Sequence, residues 1–117
     1  MIEPGRNIAI KVPLYRWRET VAFYRDKVGL TVVHEQGDSI AFGFGSMKLW
    51  IDRVDRQSQL DVWLELFADD PADAMAKLDG PVRDELEPLD GVTGHWTSDP
   101  AGTVLLVRRD DSSKKTV

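Results

Sequence analysis

The side chains with the most chemistry to offer in this sequence are one carboxylate in an apolar run, two histidines and a set of tryptophans. Glu65 stands between Leu64 and Leu66. Desolvated there, it would hold a cationic group of a ligand, act as a general base, or sit in a salt bridge with Lys11 or Lys48 across a sheet. His34 and His95 fall in or beside strand-like runs, where a lone histidine is more often a hydrogen-bonded edge residue than a catalyst. Of the two, His95, next to Trp96, is the better site candidate. Trp50, Trp63 and Trp96 offer planar surfaces that stack on planar or cationic groups. With Trp17 they make four tryptophans in 117 residues, a high load for so short a chain. Core packing is the competing reading for each, and Trp17, on a helical apolar stripe, takes it. No serine lies in a Gly-x-Ser-x-Gly elbow, and the glycines of Phe42-Gly43-Phe44-Gly45 fall in and after a strand-like run, where they serve packing and a turn rather than a phosphate.

Composition narrows the chemistry further. The net charge is −5, with 15 basic against 20 acidic side chains. Nucleic acid needs a basic face, and the pairs Arg108, Arg109 and Lys114, Lys115 are too short to make one. The absence of cysteine removes disulfides, thiolate nucleophiles and sulfur-ligated metals, leaving carboxylates and the two histidines as metal donors. A chain of this length buries roughly two-thirds of its unfolded surface, so stability demands no cofactor. The opening Met1-Ile2-Glu3-Pro4-Gly5-Arg6 is not a signal sequence and no apolar run reaches membrane-spanning length, so a cytoplasmic protein with no membrane partner is expected.

The elements that must position these groups follow from periodicity. Residues 7–13 alternate, placing Ile8, Ile10 and Val12 on one face and Asn7, Ala9 and Lys11 on the other. Trp17, Val21, Tyr24 and Val28 recur at helical spacing over 16–28, with Gly29 as the stop. Three short strands over 30–35, 39–44 and 47–52 are separated by Gly37-Asp38 and Gly45-Ser46. After a polar stretch, a strand over 60–67 leads into Asp70-Pro71-Ala72-Asp73, a capped helix start, with the end at Leu78-Asp79-Gly80. Segments at 82–85, 93–98 and 103–109 complete a second β-α-β-β-β series, with Gly29 and Gly80 at matching places. The fold class expected is α+β: two βαβββ modules forming curled mixed sheets around a cavity, with helices outside. One domain over 1–117 is expected, with modules at about 6–52 and 60–109 and a polar tail over 110–117.

The segments Asn7-Ile8-Ala9-Ile10-Lys11-Val12-Pro13 and Thr20-Val21-Ala22-Phe23-Tyr24-Arg25-Asp26-Lys27-Val28-Gly29-Leu30 resemble the first strand and the Phe-Tyr helix of the vicinal oxygen chelate superfamily, which includes glyoxalases, extradiol dioxygenases and bleomycin-resistance proteins. Phe67-Ala68-Asp69-Asp70-Pro71-Ala72-Asp73-Ala74 and Asp99-Pro100-Ala101-Gly102-Thr103 resemble its second-module helix entry and final turn. The resemblance covers 7–109 and implies the fold, but not the reaction, because this fold hosts many.

Metal-dependent relatives carry, as the resemblance implies, a histidine in the first strand, ligands in the fourth and fifth, and a glutamate in the last. Here those positions match Asn7, whose neutral amide is a poor ligand, and a strand Met47-Lys48-Leu49-Trp50-Ile51 with no donor before Asp52. The third match is one of Asp61, Val62 or Trp63, of which only Asp61 has a side chain able to ligate a metal and is read by default as a solvated strand end, and the fourth is Leu106. The reading is a metal-free, cofactor-free small-molecule binder of the bleomycin-resistance type. It holds an aromatic or cationic ligand among Asn7, Trp50, Trp63, Glu65, His95 and Trp96, with no catalytic residue assigned and, as in relatives, two copies paired as a homodimer. The alternatives are a lyase, isomerase or dioxygenase with unconventional ligands such as Glu65, Asp61 and His95, and a ligandless interaction module.

Overall fold

A computed structural model describes residues 1–111; residues 112–117, with Lys114 and Lys115 and most of the expected polar tail, lie outside them. The elements are β1 (Ile2–Val12), α1 (Leu14–Ala22), β2 (Val32–Gln36), β3 (Ser39–Phe44), β4 (Met47–Arg53), β5 (Asp61–Ala68), α2 (Pro71–Leu78), β6 (Gly94–Ser98) and β7 (Val104–Arg108). The class is α+β, with seven strands in one mixed sheet in the order β2-β3-β4-β1-β5-β7-β6. β1 and β4 run parallel, and β2 with β3, β3 with β4 and β6 with β7 run antiparallel. The chain divides into two compact units, one over Arg6–Trp63 and the other made of Met1–Gly5 and the chain from Leu64 onward.

In the Arg6–Trp63 unit, the alternation of β1 decides everything else. Ile8, Ile10 and Val12 meet Leu49 and Ile51 of β4, Ile40 and Phe42 of β3, and Val21 and Trp17 of α1 in one apolar cluster. Trp17 is a core residue, as its place on the helical stripe requires, and its indole N–H is satisfied by the Ile51 carbonyl at 3.1 Å. The helix widens to a π segment over Phe23–Val28. It stops at Gly29, whose φ of 85° is the left-handed conformation that glycine adopts at no steric cost.

The other unit is built on α2, whose N-cap Asp70 accepts from the Asp73 N–H at 3.2 Å, with Pro71 at the first turn. Ala74 of α2 packs on Ala68 and Val107, with Leu66 and Met75 beside them. α2 ends at Leu78, as expected, and the left-handed residue that closes it is Asp79, φ 53°. Gly80 is needed for space, because a Cβ there would strike the Thr97 hydroxyl and come within 3.1 Å of the Ser98 carbonyl. One expectation is corrected here. Residues 82–85 form no strand: Pro81 lacks a donor, and the segment meets β6 through one backbone bond, Arg83 N–H to Trp96 carbonyl at 3.1 Å. In the final turn, the Asp99 side chain accepts from Ala101 and Thr103 N–H at 2.9 Å. The Thr103 N–H foremost, with those of Ala101 and Gly102, holds the Asp99 carboxyl below the usual aspartate range.

Thr97 is 1% exposed and its hydroxyl finds no hydrogen-bond partner among the described residues. A buried, unmade hydrogen bond is a net cost, so Thr97→Val, which keeps the shape and drops the hydroxyl, should raise stability by about 1 kcal/mol. A higher thermal midpoint is the expected reading, and a lower one contradicts it.

Candidate functional site

The face of β1–β4 opposite α1 collects polar and aromatic side chains because both strands alternate in step. Asn7 pairs with Lys48, Ala9 with Trp50 and Lys11 with Asp52 along the parallel β1–β4 ladder. Trp50 and Asp52 are in turn beside Ala41 and Ser39 of β3. Trp50 is half-buried, and its indole N–H donates to the Asn7 Oδ1 at 2.7 Å. The exposed His34 ring of β2 meets the same indole edge-on, 5.5 Å between centroids at 63°. The Trp50 ring is thus held by a hydrogen bond to β1 and met by a ring from β2, two strands away, which is how a stacking surface is pre-organised.

Further along the same face, Lys11 is only 4% exposed. Its ammonium lies 2.8 Å from the Asp52 Oδ2 and 4.1 Å from the centre of the Trp63 ring, a desolvated salt bridge joined to a cation–π contact. Trp63 in turn donates its indole N–H to the Asp61 Oδ2 at 3.0 Å. The other oxygen of Asp52 is buried and finds no hydrogen-bond partner among the described residues. Lys11 and Asp52 were legible as strand positions but not as a pair. The signal was the lysine on the Asn7 face of an otherwise apolar strand.

In the other unit, β5 places Glu65 opposite Leu66, which packs toward α2. Asp61, Trp63, Glu65 and Phe67 alternate with Val62, Leu64 and Leu66 along the strand and so share a face, while Leu64 on the other face is exposed. Glu65 is 8% exposed and lies against Gly5, where a Cβ would sit 2.5 Å from the Glu65 Cγ and Oε1. Arg108 of β7 supplies a cation at 3.8 Å that spacing did not point to, and also reaches Asp111 at 4.0 Å. Trp96 shares the Leu106 and Arg108 face of the β6–β7 ladder, and its indole N–H donates to the Glu87 carbonyl at 2.8 Å. His95 pairs with Val107, whose side chain packs toward α2, so His95 points to the opposite face from Trp96 and is exposed. The structure brings together Asn7 with Trp50 and Trp63 with Asp61, and does not bring His95 together with Trp96.

The divalent metal of metal-dependent relatives does not fit these residues. The Asn7 oxygen is engaged by Trp50, Lys48 neighbours it in the ladder, and the last-strand position is Leu106. Among the described residues no group of three histidine, aspartate or glutamate side chains is placed to hold an ion.

The fold is similar to that of solved structures of the glyoxalase/bleomycin resistance protein/dioxygenase superfamily. Similar solved structures include a superfamily member from Vibrio splendidus 12B01, TM-score 0.61 at 10% identity over 88% of this chain and 97% of that one. Methylmalonyl-CoA epimerase from Mycobacterium tuberculosis gives 0.64 at 8% over 97% and 92%. The Mn(II)-bound glyoxalase from Novosphingobium aromaticivorans gives 0.63 at 21% over 93% of this chain and 39% of that one. No protein-family model matches the sequence, and neither does any curated protein. Among the described residues no helix is long and apolar enough to cross a membrane.

Proposed function

We propose that this protein is a metal-independent small-molecule binder of the bleomycin-resistance type, and that its ligand is an aromatic compound stacked on the Trp50 face. The observation that carries this reading is the 2.7 Å hydrogen bond from Trp50 to Asn7. By the resemblance, Asn7 stands where metal-dependent relatives place a histidine, and its side-chain oxygen is taken up by the Trp50 indole N–H. Lys48, which neighbours Asn7 on this face, favours a planar aromatic ligand over a cationic one, because an incoming cation meets its charge. Pairing of two copies, which the resemblance implies, is part of the proposal. The metal-dependent form of the enzyme reading, with ligands such as Glu65, Asp61 and His95, draws no support from His95, which lies on the α2 side of β6, while its metal-free form rests on Glu65 alone as an acid–base group.

The test is a tryptophan-fluorescence titration with a chemically diverse panel of aromatic compounds. Native protein is expected to give saturable quenching by at least one compound. Trp50→Ala should weaken that binding by about 2 kcal/mol, roughly thirtyfold, as loss of a central aromatic anchor does. A flat response across the panel, or full affinity in Trp50→Ala, contradicts the proposal.

A further inference from the structure

The α1 side of the Arg6–Trp63 unit holds a groove of about 380 Å³ whose floor and walls are Ile10, Val12, Pro13, Tyr24 and Leu60. Ile10 and Val12 belong to the α1-facing side of β1, so this groove lies on the opposite sheet face from Trp50. Its outer wall is the loop 54–60, and that loop is fastened. The Val54 N–H donates to the Val12 carbonyl at 2.9 Å, the Tyr15 hydroxyl donates to the Ser58 carbonyl at 2.9 Å, and the Gln57 side-chain amide donates to the Gln59 carbonyl at 3.0 Å. The wall exposes apolar surface at the mouth, with Leu60 63% exposed and Tyr15 67%. Exposed apolar side chains gathered on a concave surface mark a binding site more often than a solvated one.

Charge selects the occupant. Among the described residues of the lining, Arg16 alone is charged, and the other polar groups are hydroxyls and an amide from Tyr15, Thr20, Ser58 and Gln59. Arg16 is held by Glu19 at 2.9 Å in a largely exposed pair. Such a pair contributes little, so a ligand carboxylate can take its place on the guanidinium. The volume is near the lower end of small-molecule sites, roughly 300 to 1,000 Å³, which suits one ring or a short chain.

We propose that this groove is a second ligand site, distinct from the Trp50 face, and that it takes a small organic carboxylate. The apolar ring or chain lies on Ile10, Tyr24 and Leu60, and the carboxylate pairs with Arg16.

The test titrates phenylbutyrate, and in parallel the uncharged phenylbutanol, into isotope-labelled protein followed by amide and arginine side-chain NMR. Saturable shifts are expected at Arg16, Thr20, Ser58 and Leu60, with affinity about tenfold lower for the alcohol and about tenfold lower for the acid in Arg16→Gln, the loss of one charge-assisted pair. Leu60→Ser should weaken both compounds alike. Both variants alter exposed side chains, and their spectra report folding directly. The proposal is overturned if native protein gives no saturable shifts, or if Arg16→Gln binds the acid as well as native. Shifts that fall on Asn7, His34 and Trp50 instead overturn it while supporting the first site.

Discussion

Replacing Asp52 by alanine should destabilise the fold by about 3 kcal/mol or more, the range found when one partner of a buried ion pair is removed. Lys11 has a side chain only 5% exposed, and its ammonium is 2.8 Å from Asp52. Without the carboxylate the ammonium stays desolvated, against the Trp63 ring. A cation–π contact of ~1 to 2 kcal/mol does not offset the loss of a counter-charge. Lys11→Met should be comparably costly, since Asp52, one of whose oxygens has no hydrogen-bond partner among the described residues, then loses the ammonium at 2.8 Å. The double variant Lys11→Met/Asp52→Leu should recover most of the loss, because no buried charge of the pair is stranded. Urea midpoints of the three variants check this. Singles near native stability, or a double variant no better than their sum, contradict the pairing.

The second large effect is expected at Gly5. Its φ lies outside the left-handed region, so glycine is there for space and not for conformation. The Glu65 side chain occupies the place of the missing Cβ, and both residues are buried. Gly5→Ala should therefore destabilise by about 1 to 3 kcal/mol, the usual cost of overpacking a filled site. Because the clash is with a side chain, shortening it must relieve it: Gly5→Ala/Glu65→Ala should lie well above the sum of the two singles, by about 1 kcal/mol or more. Additive losses contradict the close approach.

The strands and helices were readable where local pattern and tertiary packing agree. Ile8, Ile10 and Val12 alternate against Asn7 and Lys11 in the sequence and lie on opposite faces in the sheet, and Gly29 ends the first helical run as its position requires. Reading failed where packing overrides propensity. Pro4 and Gly5 look like strand breakers, yet β1 begins at Ile2, with Gly5 accepting the Glu65 side chain. Gly80 looks like a helix stop, and its role is to let α2's exit lie against Thr97. Glu65 was singled out for its burial, but Arg108 is more than forty residues away in the chain, and no periodicity links positions across two strands. Trp96 was legible as an aromatic surface. That it anchors the loop after α2 through the Glu87 carbonyl depends on a loop path that residue types do not dictate. His34 was read as an edge residue, and its contact with Trp50 follows only once the β2–β3–β4 register is known.

The central claim is that Asn7 and Trp50 make a binding surface that works without a metal. It is tested most directly by measuring the affinity of the best-binding aromatic compound in one sample before and after exhaustive chelation, with elemental analysis of the same protein and reloading with nickel, zinc, manganese and iron. The account predicts an unchanged dissociation constant across all of these samples, whether or not an ion is found. Affinity that collapses on chelation and returns with one stoichiometric ion would contradict it, and would mean that Asn7 is not committed to the indole when the protein binds its ligand.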